Sequence, residues 1–335
     1  MAGTTGVDFS GLPAKLQNYS TRDADRLLSQ ILITDQGFLD YMQLYVDVQD
    51  EQALTQMFVT SVIQPGNKDT FSPKGAAGFK NRIGKVRACK IDFKLTPTQI
   101  TAMWKGYLGR IAKSKRGDIY DVPFVQEIMN KIADKGKEEI RLEALFKGVY
   151  REDRTDAARV FDGILPMLSD ANIVPAKNIY AGAPINAANA IDQLEGVADK
   201  VPSHLVNTEL VMLVEPDIAK FYKRDYRNTH GTVEYNTTFD QVMIDGTNIR
   251  IQPEPGLAGT GAVLITPKDN MVWMTGQLAK NDSFTIEKAE RVLKIMADFE
   301  AAPDFAIAEY VWCNDLGLAK GVALRTAAAA EPAQV

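Results

Sequence analysis

The stretch from Gln64 to Lys85, QPGNKDTFSPKGAAGFKNRIGK, constrains this chain more than any other feature. It holds two prolines, four glycines and almost no core-forming side chains. About twenty residues without a buried face are unusual inside a compact domain. On its N-terminal side Met57 to Ile63 reads as β. On its far side Cys89, Ile91, Phe93 and Leu95 alternate with Lys90, Asp92 and Lys94, the period of a strand. Strand, long basic tip and returning strand together predict a protruding hairpin. Such a hairpin has to move, or has to lie on something else.

The charge is as uneven as the burial. Residues 64–117 carry thirteen basic and two acidic side chains, a net of +11, and the remaining chain carries −16. A late acidic run, Asp298, Glu300, Asp304, Glu309 and Asp315, meets no base until Lys320. Two solvated faces would account for this. A basic arm meeting an acidic surface on a neighbouring copy, or phosphate, would account for it too. The overall charge of −5 argues against a free nucleic-acid binder.

Around this segment, Leu27, Leu28, Ile31 and Leu32 repeat at helical spacing within 22–40, after an extended arm at 1–21. Thr96-Pro97 opens a helix with Ile100, Trp104 and Leu108 on one face. Asp121 and Pro123 start a longer one with a single apolar stripe to about Lys147. Leu210 to Val214 is a buried strand stopping before Pro216, with a helix over 218–226. Val242 to Ile251 is a hairpin turning at Asp245-Gly246. Val263 to Met274 reads as a second hairpin, Phe305 to Trp312 as a final strand, and 326–335 as a tail. Residues 289–299 fit either a helix or a strand.

Chemistry is sparse. Two histidines, His204 and His230, sit in loop-like contexts, and Cys89 and Cys313 are too far apart for a cysteine framework. Gly78 to Val86 fails as a phosphate loop on spacing, and Gly256-Leu-Ala-Gly259-Thr-Gly261 has its glycines in the wrong order for a nucleotide loop. The expectation is no catalytic, cofactor-binding or metal site and no enzyme. No apolar run reaches a membrane-spanning length, and the N-terminus lacks a signal-peptide pattern.

The order of these parts resembles the major capsid proteins of tailed bacteriophages, an α+β architecture of the Hong Kong 97 type. The resemblance rests on Phe161-Asp-Gly-Ile-Leu165, on Glu209 to Ala219, and on Ile244 to Pro253 followed by Ala262 to Trp273. It implies an N-terminal arm and short helix at 1–40 and an extended β-hairpin loop, the E-loop, at 58–94. A spine helix would span about 123–148. A peripheral domain would be built from 41–57, 95–170 and 291–325, an axial domain from 171–290, and a tail from 326–335. It implies a subunit that self-assembles through hexamers and pentamers into an icosahedral shell around double-stranded DNA, assembled in the host cytoplasm and found in the virion. Partners would be other copies, portal and scaffolding proteins, a decoration protein, and the packaged DNA non-specifically, with no membrane and no cofactor. The loop residues Lys68, Lys74, Lys80, Arg82, Lys85 and Arg87 would contact a neighbouring subunit, and Asp298, Glu300, Asp304 and Glu309 would form the acidic surface that receives them. Where relatives cross-link a loop lysine to an asparagine, Lys68, Lys74 and Lys80 are the available amines, but no cross-link is predicted. A nanocompartment shell of the encapsulin type and an unrelated soluble α+β enzyme are the alternatives.

Overall fold

The computed structural model describes residues 26–33, 37–66, 74–103, 105, 123–170, 173–206, 208–230, 242–276, 284–289 and 292–332. The predicted arm, Lys68, Trp104, Leu108 and the basic loop at 113–117 lie outside them.

The helical spacing of Leu27, Leu28, Ile31 and Leu32 produces α1, residues 26–32, with all four side chains buried. A short helix, α2, covers 97–103, and Gln99 and Thr96 cap its start reciprocally. The long helix α3, Pro123–Glu139, has proline at its first position and buries Ile128, Met129 and Ala133 along one stripe. It continues into a π turn, Ile140–Ala144, closed by the Leu145 N–H on the Ile140 carbonyl at 2.8 Å. The short α4, Ile164–Leu168, is buried throughout.

The described strands fall into three sheets. In the first, the long β12, Val292–Phe305, is central. One edge of its first half pairs with β11, Phe284–Ala289, and the other edge with β4, Arg87–Leu95. Its second half pairs with β10, Met271–Thr275, which runs parallel to β1, Gln43–Tyr45. Residues 292–299 are therefore strand. The second sheet runs in the order β5 (Ile179–Tyr180), β13 (Trp312–Asn314), β9 (Val263–Pro267), β6 (Leu210–Val214), β8 (Ile249–Pro253), β7 (Val242–Met243). Helices α5, Ala190–Ala198, and α6, Pro216–His230, pack on it, and buried Asp225 of α6 accepts the Ile191 N–H at the start of α5. The third is a two-stranded ribbon of β2, Glu51–Val59, and β3, Ala77–Lys85.

Four expectations change here. Phe305 to Trp312 is not one strand: β12 ends at Phe305, a 3-10 turn covers Ala308–Tyr310, and β13 begins at Trp312. β9 and β10 are not a hairpin but belong to different sheets. Buried Asn270 between them donates to Thr266 Oγ1 and the Ile307 carbonyl and accepts the Ile307 N–H, which turns the chain from one sheet to the other. The ribbon's returning strand is β3, not 89–95, because Val86 breaks the run and β4 joins β12 instead. The stretch predicted to end as a tail is largely helix: α7, Asp315–Ala330, is capped by Asn314, whose side chain accepts the Gly317 N–H.

The first core gathers around Trp273, fully buried in β10. Its ring meets Phe38 and Phe161 edge-on at 5.3 and 5.7 Å, and its indole N–H donates to the Leu32 carbonyl. Helix α7 closes over α4 so tightly that a Cβ added at Gly321 would lie 2.2 Å from the Leu165 carbonyl oxygen. Gly321→Val is therefore expected to cost about 2 kcal/mol through overpacking, read as a shift of the urea midpoint at unchanged slope.

Candidate functional site

The ribbon has two unlike faces because residues paired across it share a side. Leu54, Arg82 and Gly84 point to the body. Leu54 is 6% exposed, and a Cβ at Gly84 would lie 2.8 Å from Met274 and 3.1 Å from Asp304. Arg82 donates from Nε to Asp304 Oδ1 at 2.8 Å, with Nη2 at 2.6 Å from the same oxygen. Burial pushes the Asp304 carboxyl above its ordinary value, and the Arg82 guanidinium pulls it back.

The opposite face carries Ala53 across from Ile83 and Val59 across from Ala77, with Thr55 and Phe79 between them. Phe79 is 66% exposed, Ile83 56% and Val59 52%, and beyond the strands Val62 and Ile63 are exposed as well. Most large exposed apolar side chains of a soluble domain are scattered singly, whereas a run of them on one surface marks contact with a partner. A two-stranded ribbon is marginal alone; its base is held by the Arg82 pair, and its outer face is left exposed.

The remaining predicted contact residues have local roles. Lys74 Nζ donates to the Ile63 carbonyl at 2.7 Å and ties the start of the tip to its end. Lys85 pairs with Glu51 across the ribbon, an exposed ion pair of little energetic weight. The Arg87 guanidinium lies 4.1 Å from the Tyr150 ring centroid. Lys80 stands opposite Gln56 in the ribbon register. Among the acids, Asp298 is exposed on β12 opposite Lys90 of β4, Glu300 is half-buried, and Glu309 is exposed. Asp304 leaves the acidic surface: it is buried and already holds Arg82 of its own chain. Charge reversal at Arg82 would accordingly disturb the subunit as well as any interface.

The apolar face, not the basic tip, is what the sequence reading missed. Its signal was present as the spacing of Ala77, Phe79 and Ile83, but Asn81 and the flanking glycines and lysines broke the pattern.

The other candidates resolve locally. The glycine-rich turn at 256–261 spends two of its N–H groups on a carboxylate of its own chain, Glu215, which accepts from Gly259 and Gly261 at 2.8 and 3.1 Å. Cys89 and Cys313 are buried, and burial pushes both thiols up to about 12. Among the described residues no group of three or more His, Cys, Asp or Glu is placed to hold a metal ion, and no helix is long and apolar enough to cross a membrane.

No family model and no curated protein matches the sequence. The fold does match solved structures. The procapsid of satellite phage P4 with its size determination protein aligns at a TM-score of 0.56 and 10% identity, over 94% of this chain and 92% of that one. The holo encapsulin complex from Synechococcus elongatus aligns at 0.48 and 11% identity, over 85% and 88%. The capsid of Ralstonia phage GP4 aligns at 0.47 and 12%, over 86% and 89%. The mixed helices and sheets, together with the first of these, give the chain the Hong Kong 97-like capsid fold.

Proposed function

We propose that this chain is the major capsid protein of a tailed double-stranded DNA phage, tiling as hexamers and pentamers into a closed shell. The observation that carries this reading is the ribbon's unpartnered apolar face on a chain with a capsid fold. In a closed ring each copy offers one surface and receives another, so a face that is idle on one copy is covered by the next. Charge then sets register: a basic ribbon base and the exposed acids Asp298 and Glu309 orient a contact whose affinity comes from the apolar side chains. Many weak contacts per copy add up to a stable shell. The work is structural, with no reaction assigned, and packaged DNA would be met through phosphate without sequence preference.

Negative-stain microscopy and gel filtration of the purified protein test this directly. The expected result is closed particles of uniform size. Phe79→Asp/Ile83→Asp should abolish them and leave small species whose thermal unfolding matches the parent's, since neither side chain is in the core. A wild-type chain that runs only as a 36.9 kDa monomer or a dimer would refute the shell reading. Particles filled with protein instead of DNA would turn it towards a nanocompartment.

A further inference from the structure

Glu254 lies between Pro253, the last residue of β8, and Pro255, and is fully buried. Its carboxylate is held by Arg141, Tyr41 and the Gly256 N–H. Oε1 accepts from Arg141 Nε at 2.9 Å and from the Gly256 N–H at 3.4 Å. Oε2 accepts from the Tyr41 hydroxyl at 2.5 Å and from Arg141 Nη2 at 3.1 Å. Three separate parts of the chain meet here: the lead into β1 of the first sheet, the π turn that ends α3, and the exit from β8 of the second sheet. The fit has no slack, since a Cβ at Gly256 would lie 2.5 Å from the Arg141 carbonyl oxygen.

A buried ion pair is a poor way to add stability. Its desolvation offsets its attraction, and apolar side chains of similar volume hold as well or better. What it adds is direction. The two sheets already share an apolar core, with Leu213, Leu257 and Leu264 in one cluster with Trp273 and Phe146. Apolar contact is non-directional and tolerates sliding, whereas a bidentate guanidinium with a hydroxyl on the same carboxylate fixes one geometry. π turns inside helices also recur at functional positions.

We infer that Tyr41, Arg141 and Glu254 form a joint that fixes the angle between the two sheets, and that this angle sets the curvature of the assembled particle. The second half of the inference rests on the shell reading above. The three are positioning residues.

The test uses the full chain with spin labels at Lys94→Cys on β4 and Arg250→Cys on β8, both exposed, the native cysteines being buried. Pulsed electron resonance reads the distance between the sheets. The unaltered joint should show one narrow distance. Tyr41→Phe/Arg141→Met/Glu254→Met should keep a similar melting temperature, broaden that distance distribution about twofold or more, and yield particles of several diameters. An unchanged narrow distance in the triple variant overturns the joint. If the triple variant does not fold, Tyr41→Phe alone decides by the same readout, broadening for the joint and no change against it. Broadened distances with particles of a single diameter would keep the joint and overturn its link to curvature. Absence of particles from the wild-type chain would refute the shell reading, and the distance measurement would still decide the joint.

Discussion

Trp273→Ala should lower the stability of the chain by about 4 kcal/mol, the largest single-site loss expected outside the ribbon. The indole is fully buried in β10, between Leu44 of β1 and Pro303 of β12 in the strand register. Truncation removes its transfer free energy and leaves a cavity that the surrounding strands cannot close without breaking their pairing. It also removes two edge-on ring contacts, with Phe38 and Phe161, each worth about 1 kcal/mol. The Leu32 carbonyl loses its indole donor and becomes a buried acceptor without that partner. Urea unfolding followed by circular dichroism measures the loss. Trp273→Phe keeps a ring and drops the N–H, so it should cost about half as much. A loss below about 1 kcal/mol for the alanine variant would mean that α1 is not seated on β10.

What was legible in the sequence was local. The spacing of Leu27, Leu28, Ile31 and Leu32 describes a helix because burial on one side of a 3.6-residue repeat leaves no other reading. Asp245-Gly246 marks its turn, and Pro216 ends β6 and opens α6. The alternation of Cys89, Ile91, Phe93 and Leu95 is a true strand, with Cys89 and Leu95 buried. Its partner was not legible: β12 lies some two hundred residues away, and nothing in either segment names the other. β3 was obscured for a different reason. Its apolar period, Ala77, Phe79 and Ile83, is broken by Gly, Lys and Asn that read as loop. α7 was a misreading of composition. Ala327 to Ala330 looked like a tail, yet alanine is the best helix former and Asn314 is a good cap. At the candidate site both charges, Arg82 and Asp304, stood out as parts of opposite patches, but only the fold shows them as partners within one chain.

That partnership makes Arg82→Ala the second large expected effect, at about 3 kcal/mol near neutral pH. Asp304 is 7% exposed at its side chain, so removing the guanidinium strands a carboxylate with no cation in its place. The sign of the pH dependence follows from the direction of the shift. Burial already raises the folded-state value of Asp304 above 3.8, and Arg82 opposes that rise. Without Arg82 the value rises further. Below the ordinary carboxylate range the group is neutral in both the folded and unfolded chains, and the variant pays no charge penalty. As pH climbs through the raised folded value, the unfolded chain ionises first and the variant loses stability relative to wild type. The deficit should therefore be small at acid pH and largest at neutrality, and Arg82→Ala/Asp304→Asn should recover much of it. A deficit that is flat with pH would show that the arginine acts through its packing alone. Hydrogen exchange locates the consequence: amides of 77–85 should speed up in Arg82→Ala while those of 271–275 keep their protection. If both segments speed up equally, the ribbon is part of the core unit. If only the ribbon loosens, its anchoring depends on one buried pair, and its exposed apolar face is aimed by that pair.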